Sequence, residues 1–332
     1  MLCPPFGLIR YFCTKQVIML RGAYSHLNHF SKLILLLTIT FSFLLFSTLF
    51  GILMLVPFYG AEVLSLLSAP NFTDPSVITA MKAVQIINMA GGLLLPAILY
   101  LWLCTPAENK FDGFRKPNSL LPILLSVVLI ILAQPLIGLA SELNSKLVLP
   151  EWLSFIETRM RNAEHQGELV TEAFLSTTST TGLLVNIFMI TILPSFAEEI
   201  LFRGALAGLL RHWTRNIHLA VFISSFIFAF IHFQFYGFLP RFLLGIALGY
   251  LFFWSGSLWL PIAAHFANNF LTVIIEFLYR KGIILNNAEN FGTNNAPLLL
   301  VISIASVTGI FYYIYKTSAA KEIPVNELTA RE

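Results

Sequence analysis

Residues 33–58 read LILLLTITFSFLLFSTLFGILMLVPF, an uninterrupted apolar run of 26 without one formal charge. About 20 mostly apolar residues suffice for a helix to cross a bilayer. This run therefore decides the fold class: an all-α, polytopic transmembrane bundle. Three more segments are equally free of charge, at 84–103, 120–140 and 297–315. Four others follow one another at about 183–207, 219–235, 242–256 and 258–279. The last three of these are crowded and joined by turns at Gly237, Pro240, Gly256 and Pro261. About eight spans are expected.

Composition agrees. Of 332 residues, 57% are hydrophobic and 11% charged, against about 25% charged in ordinary soluble domains. So little charge argues against a soluble enzyme, a disordered chain or a nucleic-acid binder. Three cysteines without paired spacing point to neither a disulfide framework nor a thiolate metal site. Residues 1–32 lack a signal-peptide core, and Met19 would serve as a start as well as Met1.

Basic residues in short loops set orientation. Arg10, Lys15, Arg21 and Lys32 precede the first span. Lys110, Arg115 and Lys116 lie between spans two and three, Arg211 and Arg215 after span four, and Lys316, Lys321 and Arg331 in the tail. Both termini are thus expected in the cytoplasm, with the chain in the cell (inner) membrane. Segment 141–182, with six glutamates, is expected outside as a solvated loop with a short amphipathic helix. No internal repeat supports an inverted-repeat transporter.

Only four charged residues fall inside these spans: Glu198, Glu199, Arg203 and Glu276. Charge at mid-bilayer costs about 2.5–3.5 kcal/mol on insertion scales, so such residues usually face an interior and act there. Glu199 and Arg203 are i,i+4 partners placed to pair. Glu198 points about 100° away, and a desolvated carboxyl without a cation trades protons near neutrality. A plainer reading also stands: Ser195-x-x-Glu198 matches a capping box for a helix restarted after Pro194, and Glu199–Arg203 an interfacial salt bridge. His232 closes Phe228-x-x-x-His232, and His265 and Asn269 share a helix face. Either histidine alone is more often a satisfied core residue. Together with the glutamates they are natural partners, because polar groups in hydrocarbon must find one another. Helical rise places all of them near mid-membrane or somewhat toward the cytoplasm.

Such a cluster suits the activation of water against a carbonyl. Glu198 would take the proton from water. His232 and His265 would orient the water, hold a metal or donate to an oxyanion, with an Asn269 amide donor beside them and Arg203 fixing Glu199 as support. Two histidines and a glutamate (Glu198, His232, His265) would also suit catalytic zinc, although His-Glu-x-x-His is absent. Metal and metal-free water both remain open. Gly245-x-x-x-Gly249 reads as helix packing and Trp259 as an interfacial residue. Glu276 shares the His265 stripe and is expected at the interface near Arg280.

Glu-Glu-x-x-x-Arg (198–203), Phe-x-x-x-His (228–232) and His-x-x-x-Asn (265–269), in this order on successive apolar segments, resemble the CPBP (Abi) family of membrane proteins. That family includes the type II CAAX prenyl endopeptidases. The resemblance covers about residues 183–280 and implies an intramembrane endopeptidase. Glu198 would be its base, with partners His232 and His265, supported by Glu199, Arg203 and Asn269, between spans four, five and seven. It leaves the metal undecided, and implies a membrane-associated protein or peptide substrate, with or without a prenyl group. The family also holds immunity and scaffold proteins, so a non-catalytic membrane protein is the alternative. The expected organisation is a cytoplasmic segment 1–32, three spans in 33–140, the acidic loop 141–182, a catalytic core 183–280, and a last span with cytoplasmic tail in 281–332.

Overall fold

The computed structural model describes residues 20–68, 70–106, 111–117, 119–286 and 297–318. The choice between Met1 and Met19, and the tail beyond Ser318, lie outside the described residues. Among those, regular structure is helical and no strand is present.

Helix α1 spans His29–Tyr59 and starts where the Asn28 side chain accepts from Ser31 N. Helix α2 spans Pro75–Cys104. Asp74 caps it through Ser76 N, and proline takes the first turn, where its missing N–H costs nothing. Helices α3 (Leu121–Leu132) and α4 (Gln134–Ser145) meet at a 45° bend. Helix α5 runs Ser154–Leu175 and α6 runs Thr180–Thr214, 35 residues. Then come α7 (Ile217–Phe230), α8 (Phe238–Ser255), α9 (Trp259–Arg280) and α10 (Pro297–Ser318). Gly256, at φ +64°, ends α8 in the left-handed region that glycine enters without steric cost.

Six of these helices are long and apolar enough to cross a membrane, and α3 with α4 makes a seventh if the bent pair is one span. The chain is an integral, multi-pass membrane protein. This corrects the count of about eight. All eight apolar segments are helical, but α7 has only 14 residues, about 21 Å at 1.5 Å each, against a hydrocarbon core of about 30 Å. By length alone the helix of segment 219–235 falls short of a span: it stops at Phe230, and Phe235 and Tyr236 belong to a 3₁₀ turn that leads into α8. Hydropathy counts those rings as membrane wherever the backbone goes.

Two further expectations change. Segment 141–182 is no loose loop: α4 continues to Ser145, and α5 alone is a 22-residue helix. Lys82 and Arg241 lie inside α2 and α8. The Lys82 ammonium is held by Phe174 O (2.8 Å) and Asn186 Oδ1 (2.7 Å), tying α2 to α5 and α6. Arg241 turns back and donates to the Gln234 carbonyl and side chain.

Helices α7 and α8 pack closely at Gly245 and Gly249. A Cβ on Gly245 would lie 2.9 Å from Ser225 Cβ and 3.2 Å from Ser225 Cα; one on Gly249 would lie 2.9 Å from a Val221 methyl. Gly245→Ala is therefore expected to destabilise the protein by about 1–3 kcal/mol, the usual cost of overpacking. Thermal unfolding of the purified protein in detergent checks this, and a wild-type Tm would show that the helices part freely.

Candidate functional site

The motif-bearing stretch of α6 is fully helical. Two widened π-helical stretches, Ile187–Ile192 and Ile200–Ala207, flank Leu193–Glu199. Such bulges re-aim side chains and are frequent at functional sites. The helix does not restart after Pro194. Ser195 sits inside it, its hydroxyl donating back to Thr191 O, so the capping-box reading of Ser195 and Glu198 fails.

Glu199 and Arg203 pair as expected, Nη1 to Oε1 at 2.8 Å. They are 0% and 1% exposed. Arg203 does more than pair. Its Nη2 donates to Gly245 O at 3.0 Å, and its guanidinium lies over the Phe228 ring, 4.8 Å from the centroid. One cation thereby joins α6, α7 and α8. The bare face of Gly245 that lets α7 close on α8 belongs to the same residue whose carbonyl receives Arg203.

The same Glu199 Oε1 receives His265 Nδ1 at 2.8 Å. A carboxylate only accepts, so Nδ1 carries the proton and the tautomer of His265 is set. Its other nitrogen, Nε2, lies 3.7 Å from Glu198 Oε2. His265 is 3% exposed and Glu198 9%. Glu199 Oε2 is buried with no hydrogen-bond partner among the described residues.

His232 occupies the turn after α7 rather than the interior of a span. Its Nδ1 must donate to Phe228 O (2.7 Å), since a carbonyl only accepts. Nε2 of the neutral ring is again the free acceptor. Glu198 and His265 lie close enough to act on its charge, and the Phe228 ring packs edge-on against both imidazoles, at 5.0 and 6.0 Å. Glu198, His232 and His265 thus form one cluster, with lone pairs on all three. His232 lies at the end of α7 away from His218, the end against which α4 and α5 pack.

Asn269 is next to this cluster but tied elsewhere. One of its amide N–H groups donates to Ile190 O at 3.0 Å, bridging α9 to the first widened turn of α6. Glu276 is 7% exposed and stays out of the cluster. It pairs with Arg280 (2.7 Å), which also reaches Glu172 (3.0 Å). Trp259 also packs: Nε1 donates to Phe114 O, and the indole meets Phe114 and Phe196 edge-on.

Lone-pair donors of this kind suit a metal ion in type. In arrangement they do not: among the described residues no three His, Cys, Asp or Glu side chains are placed to hold one. Arg241 lies within electrostatic reach of Glu198 and Glu164. A charge at a span edge carries no sign of which way it folds.

Residues 180–271 match the family model described as type II CAAX prenyl endopeptidase Rce1-like. The matched stretch contains all three motifs. A protein of Bacillus subtilis (strain 168) described as "Uncharacterized protein YpbD" is 36% identical over 88 residues, which is 24% of this chain and 40% of that protein. The chain thus covers well under two thirds of that relative. No solved structure matches significantly.

Proposed function

We propose, taking residues 180–271 as an Rce1-like domain, that the chain is an intramembrane endopeptidase of the glutamate type. The observation that carries the reading is the buried relay Arg203–Glu199–His265, which aims a free imidazole nitrogen at Glu198. Glu198 Oε2 and His265 Nε2, 3.7 Å apart, are two acceptors that call for a donor between them, and water brings O–H groups.

In this reading water lies between Glu198 and the Nε2 atoms of His232 and His265. Its oxygen attacks the substrate's carbonyl carbon while Glu198 takes its proton. The Glu198 proton then passes to the leaving amine nitrogen as the C–N bond breaks. His265 Nε2 accepts the water's remaining O–H while Glu199 holds its Nδ1–H, and the second amide N–H of Asn269 donates to the oxyanion. The substrate is a membrane-associated protein or peptide, and a prenyl chain would bring it to the bilayer. The reading has both termini in the cytoplasm and the chain in the cell membrane, on the basic residues of its short loops.

The rival reading is a non-catalytic membrane protein, and the packing role of Arg203 favours it. The two differ on hydrolysis. Purified full-length protein in liposomes is expected to cleave quenched fluorescent peptides, with and without a farnesylated cysteine. Cleavage is expected to persist in EDTA and 1,10-phenanthroline. Activity lost to chelator and restored by zinc would replace the glutamate mechanism with a metal-dependent one. Intact peptides throughout would favour the rival.

A further inference from the structure

The turn that carries His232 is held lightly by its own backbone, through Phe233 N to Phe230 O and Gly237 N to Gln234 O. Phe233 has φ +53°, a region that costs a bulky residue about 1–2 kcal/mol. The His232 ring is anchored by Phe228 O of α7. Further grip comes from Arg241 of α8 and from α4 and α5, the last two outside the matched stretch 180–271.

That grip is specific. Glu164 Oε2, on α5, accepts from Tyr236 N at 2.9 Å. Asn144, on α4 and 2% exposed, donates to Phe235 O at 2.8 Å and accepts from Leu239 N at 2.7 Å. The Arg161 guanidinium lies over the Tyr236 ring, 4.4 Å from its centroid. Gly167 lets α5 approach Gln234, whose Nε2 would stand 2.6 Å from a Cβ there. Gln234 in turn receives Arg241. Turn backbone groups that would otherwise face water or lipid are thus satisfied by two side chains from one neighbouring unit.

We propose that Asn144 and Glu164 are positioning residues that fix the His232 imidazole in the cluster, α5 acting as a brace outside the catalytic helices. For its catalytic meaning this rests on the endopeptidase reading above. For its structural content it does not. Neither residue touches the reacting atoms; each acts through the backbone of residues 235–239. Burial, ahead of the bond from Tyr236 N, pushes the Glu164 carboxyl above the ordinary glutamate range. A neutral amide that keeps the acceptor is therefore a fair replacement.

The test uses the full-length protein in nanodiscs with labelled histidine. The His232 ring resonance is assigned by its loss in H232N. E164Q is expected to show wild-type His232 resonances. E164A and N144A are expected to shift them, and in the peptide assay to lower kcat about 10- to 100-fold, the scale of an ångström's misplacement, with KM within about twofold. Unmoved His232 resonances in both alanine variants, or E164Q behaving as E164A, would overturn the proposal. Should N144A fail to fold, E164A decides through Tyr236 N alone. If wild-type protein cleaves no peptide, the endopeptidase reading falls while the resonances still decide the brace.

Discussion

Glu198→Gln is expected to reduce peptide cleavage by about 10²- to 10⁴-fold, the range that a positioned general base contributes, while the unfolding midpoint stays within a few degrees of wild type. The two halves of this expectation have separate causes. Glutamine is nearly isosteric, but its amide cannot take a proton from water. Stability is spared because, among the described residues, Glu198 makes no hydrogen bond that holds the fold; its nearest polar contact is His265 Nε2 at 3.7 Å. Peptide turnover by E198Q at near wild-type rate would remove Glu198 as the base. Glu199→Gln differs, because it weakens the bonds to both Arg203 and His265. Its loss of activity should come with loss of stability.

Arg203→Met gives the largest expected effect on stability, about 3–5 kcal/mol, the usual result of stranding one partner of a buried ion pair. Glu199 would keep its charge with only His265 beside it, and Gly245 O and the Phe228 face would lose their cation. Replacing both partners by apolar residues of similar volume, as in E199L/R203M, should recover part of the loss, since an uncharged pair needs no desolvation. Denaturant unfolding of the four proteins, in a double-mutant cycle, measures the coupling. R203M within about 1 kcal/mol of wild type would show that the guanidinium does not hold the three helices together. The E198Q and R203M effects are opposite in kind. One residue is expected to carry chemistry without stability, the other stability before chemistry. A purely structural cluster would not separate them.

Several features were legible without coordinates. The charge-free run 33–58 and its counterparts placed the chain in a membrane. The i,i+4 spacing of Glu199 and Arg203 specified a pair, and Gly245 and Gly249 a close helix contact. His265 and Asn269 did lie on one helix, and the three motifs did lie on neighbouring elements. Other features were not legible, and each for a stated reason. Apolar aromatic residues after Phe230 look like membrane to any hydropathy count, though their backbone is a turn. Ser195 and Glu198 have the spacing of a cap, but only the continuous helical backbone of α6 says that no helix begins there. Arg241 stands at an edge, and whether it reaches for lipid headgroups or for Gln234 depends on where α5 packs.

By itself, the sequence determined the solvent of this protein and the supply of charge within it. Local spacing is enough for that, because one helix repeats every 3.6 residues and a bilayer demands about 20 apolar ones. Tertiary structure alone decided what each polar group is aimed at. Glu199 bonds His265 across 66 positions of chain, Arg203 reaches Gly245 across 42, and Glu164 holds Tyr236 across 72. No helical period spans such distances. These partners are selected by how α4 to α9 pack, and that packing sets the tautomer of His265 through Glu199.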